Sequence, residues 1–184
     1  VQGTPFERIY QLILYDFAIH WVDMVCCFMG RPATSASAMV TPALEQSIKP
    51  PLIAGLQLGF EKGVANLLFD GSIKPNPGEW IFITGSRGHI NAKGELLAAH
   101  DITLSTQSGI AKPRVEGTWF DYGFAGTMGE LLCAIEEDRE PFNSGRNNLR
   151  TLEAVFALVD SSENNWINEP GDSRALGKSC QPEE

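Results

Sequence analysis

Residues 126–162 read GTMGELLCAIEEDREPFNSGRNNLRTLEAVFALVDSS, and they contain two helical patterns separated by a turn. In each pattern, apolar residues recur every three or four positions, which is the period of a helix with one buried face. Pro141 ends the first pattern, and Ser144 is a good N-cap for the second. We therefore predict two amphipathic helices that cover one side of a sheet. Their apolar stripes are Phe124, Met128, Leu131, Leu132 and Ile135, followed by Leu149, Leu152, Val155, Phe156 and Val159.

The region before these helices has the two-residue period of β-strands. From Leu52 to Phe60, large apolar side chains alternate mainly with small or polar ones. The turn at Lys62 and Gly63 leads into VANLLFD, residues 64–70, so we predict a β-hairpin. The predicted fold class is α+β, with one large, mainly antiparallel sheet and helices on one face. Further strands are predicted at 33–40, 79–85, 89–93, 101–106 and 114–119.

Composition limits the size and the partners of the protein. The 184 residues, 43% of them hydrophobic, predict one domain over residues 1–164, and residues 165–184 form a polar tail. The net charge is −9 and no basic run occurs, so we predict no nucleic-acid partner. No apolar stretch is long enough to cross a bilayer and the N-terminus has no leader pattern, so we predict no membrane partner.

The cysteines indicate the compartment. The four of them, Cys26, Cys27, Cys133 and Cys180, match neither zinc-site nor disulfide-framework spacing. An adjacent pair on an apolar helix is better explained by core packing than by redox chemistry. We therefore predict reduced thiols in a cytoplasmic protein.

The first helix, predicted over about residues 13–29, carries three polar side chains in an apolar sequence. Asp16, His20 and Asp23 fall within about 60° of one face. Asp16 and His20 are four positions apart, so the carboxylate can fix the tautomer of the imidazole and raise its basicity. Such a pair suits the general base that takes the hydroxyl proton when an alcohol is oxidised. The same spacing also suits a pair that only satisfies itself, and Asp23 suits a structural role.

Two other kinds of site were considered, a metal site and a nucleotide site. Asp16, His20 and Asp23 are acceptable metal ligands, but His89 and His100 have no ligand spacing to supply a fourth group, so we predict no metal site. Nucleotide-binding motifs are absent from the sequence. The segment GSRG, residues 85–88, has the wrong spacing for Gly-x-Gly-x-x-Gly and lies between two predicted strands.

Three segments together point to a family. They are DFAIHWVDMVCCFMGRP at 16–32, ITGSRGHI at 83–90, and the ending at 126–162. In this order they resemble the C-terminal domain of the Gfo/Idh/MocA oxidoreductases, the glucose-fructose oxidoreductase and inositol dehydrogenase family. The ending is similar to the family pattern M-x-E-F-L-x-A-I, P-x-x-S-G and L-x-x-L-x-x-V-x-A. The resemblance covers roughly residues 9–164.

The resemblance implies a two-domain NAD(P)-dependent enzyme with a dihydrodipicolinate-reductase-like C-terminal domain. An N-terminal Rossmann domain, absent from this chain, would bind most of the NAD or NADP. This chain would bind a sugar, cyclitol or related polyol and form a homo-oligomer through its open sheet face. Asp16 and His20 match the family's Asp-x3-His, so we predict both as catalytic residues. Arg8 and Tyr10 are predicted to bind substrate, since the loop just before the helix opens onto that pair, and Asp23 is assigned the same role.

The sequence departs from the family pattern at three points. Glu61, Lys62 and Gly63 form a hairpin turn and are not the family's Glu-Lys-Pro, so we expect the catalytic lysine outside this chain. QLILY at 11–15 replaces the usual glycine pair, so the substrate loop differs. The family's opening strand is expected before Val1, and without it one sheet edge would be exposed. The alternatives are a non-catalytic domain for carbohydrate binding or self-association, and a metal-dependent hydrolase or isomerase; this fragment alone is expected to be inactive.

Overall fold

The protein is described by a computed structural model. It describes residues 3–75, 77–95, 98, 100–167 and 169–171. The chain divides into two compact units, where the sequence predicts one domain. The first unit comprises the residues up to Ser72 together with those from Ser144 onward, and the second is Ile73–Asn143. Each unit contains helical residues and an antiparallel sheet, which confirms the predicted α+β class.

The sheet of the first unit has three antiparallel strands in chain order. They are β1 (Ser35–Thr41), β2 (Ile53–Phe60) and β3 (Gly63–Asp70). The predicted hairpin between β2 and β3 is confirmed, with Phe60 paired to Gly63 across the turn. Gly63 has a φ of 139°, a conformation that side chains with a Cβ rarely adopt. Local sequence therefore determines the register of this hairpin.

The first helical segment begins with a wider turn than the sequence predicts. A 3-10 helix, Pro5–Arg8, and a π-helix, Ile13–Ala18, precede α1 (Ile19–Met29). A π-helix bonds each N–H to the carbonyl five residues back, so its turn is wider than that of an α-helix. The predicted regular helix over 13–29 is therefore wrong in its first part. Its predicted end is confirmed, because Gly30 caps α1 with a φ of 64°.

The last helix of the first unit, α3 (Gly145–Asn164), packs against β1 and α1. Its predicted cap is confirmed, since Ser144 Oγ accepts a hydrogen bond from Asn147 N at 3.2 Å. Ser161 Oγ accepts one from Ala38 N at 3.0 Å, so α3 satisfies a backbone group on an outer strand of this sheet. The buried core of the unit combines Ile13, Leu14, Ala18, Val22, Ala36, Leu56, Leu58, Phe60, Phe69, Val155, Leu158 and Val159 with several alanines.

The second unit has a four-stranded antiparallel sheet and one long helix. Its elements are β4 (Gly78–Gly85), β5 (Gly88–Glu95), β6 (Asp101–Thr106), β7 (Gly109–Ala111) and α2 (Trp119–Glu136). The strands of the described chain thus form two sheets in place of the one large sheet predicted. Between β3 and β4 lie Pro75 and Pro77, which cannot donate hydrogen bonds to a ladder.

Two predictions for the second unit are wrong. No strand forms at 114–119, because Pro113 lacks an N–H and Gly117, at a φ of 109°, precedes the start of α2. The apolar stripe of α2, predicted to be buried, is exposed along the helix at Phe124, Met128 and Ile135. Periodicity identifies the apolar face of a helix, but it does not identify what covers that face. Within the described residues, no helix combines the length and the apolar character needed to span a membrane.

A charged clamp holds the turn that follows α2. The guanidinium of Arg139 donates to both carboxylate oxygens of Glu130, at 2.6 and 3.1 Å. Phe142 N donates to the same carboxylate at 2.6 Å. One glutamate on α2 therefore fixes both the arginine and the backbone of the turn that contains Pro141.

We expect this clamp to weaken in acid. The hydrogen bonds from Arg139 and Phe142 lower the pKa of Glu130 from 4.5 to about 2. Because the folded state favours the carboxylate, the stabilisation is complete above the ordinary pKa and is lost as the pH falls toward 2. A carboxyl NMR titration of Glu130 should show the low midpoint. In the control variant Arg139→Gln the midpoint should return toward 4.5, and equal midpoints in both proteins would contradict the clamp.

Candidate functional site

The two predicted catalytic residues lie where the π-helix meets α1. Asp16 belongs to the π-helix, His20 is the second residue of α1, and both side chains are exposed. The chain between the two residues passes from the π-helix into α1, so the spacing of four crosses a change of helix type that the sequence pattern does not indicate. The exposed surface around Asp16 and His20 is called the Asp16–His20 surface below.

Asp23, the third residue of the predicted stripe, has a structural partner. Thr151 Oγ1 on α3 donates to Asp23 Oδ1 at 2.6 Å, and Thr151 is only 2% exposed. Hydrogen bonds to a carboxylate are among the stronger ones in proteins. This bond ties the helix that carries His20 to α3. Sequence spacing could not identify Thr151, because the two residues are 128 positions apart.

We expect Thr151→Val to destabilise the first unit by about 1–2 kcal/mol, since the change removes the donor to Asp23 and keeps the side-chain shape. The measurement is urea unfolding followed by a signal from the first unit. Thr151→Ser keeps the hydroxyl, so it should retain most of the hydrogen-bond contribution. If the serine variant is as unstable as the valine variant, packing of the methyl group explains the loss instead.

Arg8 and Tyr10, both predicted to bind substrate, differ in their exposure to solvent. Arg8 ends the 3-10 helix and is exposed. Tyr10 packs its ring against the core of the first unit, and its hydroxyl oxygen is buried. In this conformation the Tyr10 hydroxyl is not accessible to a substrate, whereas the Arg8 side chain is.

Gln11 was not singled out by sequence reasoning. Its φ is 49°, a left-handed conformation that is uncommon for residues other than glycine. Its side chain is buried, with 7% of the residue exposed. Its side-chain Nε2 donates to Ser162 Oγ on α3 at 3.3 Å. Its backbone carbonyl accepts hydrogen bonds from Leu14 N and Tyr15 N. The signal was present in the resemblance: the family has a glycine pair before the Asp, and glycine adopts this conformation at no cost.

The alternative of a metal-dependent hydrolase or isomerase needs a set of metal ligands. In the part of the chain that the structure describes, no group of three or more His, Cys, Asp and Glu side chains is arranged to bind a metal ion. One carboxylate oxygen of Asp23 is already bonded to Thr151. Cys26, Cys27 and Cys133 are free thiols, and burial, ahead of the nearby charge of Asp23, raises the pKa of Cys26. Cys26 is therefore a poor nucleophile. Core packing was predicted for both Cys26 and Cys27, and it is wrong for Cys27, which is exposed.

Comparison with solved structures shows the fold. An oxidoreductase from Agrobacterium radiobacter, in complex with NAD+, L-tartaric acid and magnesium, superposes with a TM-score of 0.76 at 18% identity, over 92% of this chain and 52% of its own. An aldose-aldose oxidoreductase from Caulobacter crescentus, complexed with glycerol, gives 0.68 at 16% identity, over 85% and 47%. The WlbA dehydrogenase from Bordetella pertussis, in complex with NADH and UDP-GlcNAcA, gives 0.64 at 18% identity, over 85% and 44%. The chain has the fold of one half of these oxidoreductases.

The likeness confirms the predicted resemblance at the level of the fold. The neighbours are described as oxidoreductases or a dehydrogenase, and the chain spans about half of their length. No family profile matches the sequence, and no curated protein matches it. At these identities the shared fold is the finding, and activity has to be argued from the site itself.

Proposed function

We propose that this chain is the C-terminal, substrate-binding domain of a NAD(P)-dependent oxidoreductase that acts on a sugar, a cyclitol or a related polyol. The observation that carries the proposal is an exposed aspartate and histidine at the start of the first long helix, on a fold that forms half of known oxidoreductases. A histidine near neutral pH can exchange the proton that alcohol oxidation releases.

The described residues contain no parallel βαβ unit of the kind that binds a dinucleotide. Both sheets are antiparallel, whereas the Gly-x-Gly-x-x-Gly turn joins a strand to a helix in a parallel βαβ unit. We therefore assign NAD or NADP, and the lysine of the family pattern, to a domain outside this chain. The contribution of this chain is to bind the substrate and to move its hydroxyl proton.

His20 carries the proton step in this proposal. When an alcohol carbon becomes a carbonyl, the hydride would pass to the nicotinamide that we assign to the other domain, and the hydroxyl proton must leave as well. A neutral imidazole accepts that proton. Asp16 orients the imidazole or binds a second hydroxyl of the substrate. Arg8, exposed at the end of the 3-10 helix, is available as a donor to substrate oxygens. Asp23 supports the helix through Thr151 and holds the site by that route.

The substrate class is supported by the ligands of the neighbours. The three structures contain L-tartaric acid, glycerol and UDP-GlcNAcA, each a molecule with hydroxyl-bearing carbons. An exposed surface with a carboxylate and an imidazole suits such ligands, because both groups form hydrogen bonds with hydroxyls. The absence of the glycine pair at 11–15 favours a substrate shape different from that of the family's usual sugars.

The direct test is turnover by the full-length protein that contains this chain. It is incubated with NAD or NADP and a panel of sugars, cyclitols and polyols, and formation of the reduced cofactor is followed by absorbance. We expect turnover with at least one member of the panel, and none from this chain alone. Binding of a panel member without turnover, with either cofactor, would overturn the proposal in favour of a non-catalytic carbohydrate-binding domain.

We also propose self-association through an open sheet face, in the second unit. Trp80, Lys93 and Asp101 are neighbours across three strands on one face of the sheet, and Phe82 follows Trp80 on that face. Trp80 and Phe82 are 71% and 67% exposed, and Lys93 Nζ lies 5.5 Å from the centre of the Trp80 ring. Exposed aromatic residues of this kind favour a protein interface.

Light scattering after size exclusion tests the self-association. Phe82→Lys should lower the molar mass to that of a monomer, because it buries a charge in the interface. Phe28→Lys is the matched control, since Phe28 is also exposed but lies on α1. An unchanged mass for Phe82→Lys would exclude this face as the interface.

The free thiols of Cys26, Cys27 and Cys133 suit a reducing compartment, and we propose the cytoplasm.

A further inference from the structure

His20 has an aromatic neighbour that a regular helix does not ordinarily provide. The imidazole of His20 and the indole of Trp21 meet edge to face, with ring centres 6.2 Å apart and planes inclined by 70°. Side chains at adjacent helical positions point in different directions and usually do not face each other. The contact therefore restricts both side chains to orientations in which their rings meet.

Trp21 is itself fixed by two phenylalanines. Its ring stacks on the Phe17 ring with 4.6 Å between ring centres, and it meets the Phe69 ring edge to face with 5.9 Å between centres. The centres of the Phe17 and Phe69 rings are 5.7 Å apart. Phe69 lies on β3 and is 6% exposed, so it is part of the rigid core. The three rings, called the aromatic triad below, contact one another pairwise. Through them the sheet, the π-helix and α1 are linked directly beside His20.

We propose that Trp21 is a positioning residue for His20. Exposed side chains change rotamer on the picosecond to nanosecond scale, and a general base must instead be held within reach of the proton it accepts. The two phenylalanines of the aromatic triad hold the indole, and the indole holds the imidazole at the Asp16–His20 surface. The inference rests on the proposed role of His20, and it adds a residue that no sequence motif indicates. Trp21 acts through His20 and transfers no proton itself.

The contact can be tested in this chain by NMR, without turnover. The indole ring current should displace the His20 Hδ2 and Hε1 resonances from the positions of a free histidine. Trp21→Leu should move them back, and Trp21→Phe should restore part of the displacement. The matched control is Phe156→Leu, which removes an edge-to-face contact with Tyr15 at 6.1 Å in the same unit. The proposal is overturned if Trp21→Leu moves the His20 resonances no more than this control does.

A kinetic test in the full-length protein separates the two proposals. We expect Trp21→Leu to lower kcat by about two- to tenfold, the amount one aromatic contact can contribute, with KM little changed. Trp21→Phe should recover part of the loss, and Phe156→Leu should have no such effect on kcat. If His20→Ala abolishes turnover but Trp21→Leu behaves like Phe156→Leu, only the positioning proposal fails. If His20→Ala leaves turnover intact, the proposed function of His20 fails, and the positioning role fails with it, whatever the NMR spectra show.

Discussion

Replacing His20 by alanine in the full-length protein is expected to lower kcat by about a hundred- to ten-thousand-fold, which is the usual contribution of a positioned general base. The imidazole is exposed on α1, so its removal leaves no buried cavity and no unpaired core group. The loss should therefore appear in the chemical step and leave stability nearly unchanged. Steady-state kinetics against substrate concentration measure it, and a thermal melt checks the fold.

His89→Ala is the matched control for this prediction. His89 is also exposed, but it lies on β5 in the second unit and contacts the Phe82 ring at 5.6 Å. Its replacement should leave kcat unchanged. If His20→Ala has as little effect as His89→Ala, the proton acceptor is some other group. In that case the Asp16–His20 surface would at most bind substrate.

The parts of the fold that the sequence predicts correctly depend on neighbours in the chain. The β2–β3 hairpin follows from an alternating pattern and a glycine at a positive φ. The start of α3 follows from Ser144, whose hydroxyl satisfies an N–H three residues on. The end of α1 follows from Gly30. In each case the deciding interaction lies within a few residues, so the pattern contains it.

The parts that the sequence does not predict depend on contacts between distant residues or on backbone detail. The partner of Asp23 is on α3, far along the chain, and no spacing rule reaches it. The apolar stripe of α2 is visible in the sequence, but its exposure depends on what packs against it. The π-helix follows a left-handed Gln11, and no propensity scale assigns that conformation to glutamine. The candidate site was located from Asp16 and His20, whereas its supports, Thr151 and Trp21, required coordinates.

The largest expected loss of stability comes from Leu158→Ala. Leu158 is fully buried on α3, in the core that joins this helix to α1 and the three-stranded sheet. Removing its isobutyl group loses transfer free energy and leaves a cavity, which together should cost about 3–5 kcal/mol. That is a large fraction of the stability of a typical domain. Leu149→Ala is the matched control, because Leu149 lies on the same helix and is 57% exposed, so its truncation should cost less than about 1 kcal/mol.

The two variants also test whether the core supports the candidate site. Because the chain has two compact units, unfolding should be followed by a signal from the first unit alone, such as NMR resonances of the Trp21 indole. Leu158→Ala should lower the urea midpoint of that signal strongly, and Leu149→Ala should leave it nearly unchanged. Since α3 binds the helix of His20 through Thr151 and through this core, loss of Leu158 should also broaden the His20 resonances below the midpoint. Equal urea midpoints for the two variants would mean that α3 is not packed as described. The Asp16–His20 surface would then be supported only by β3, through the aromatic triad.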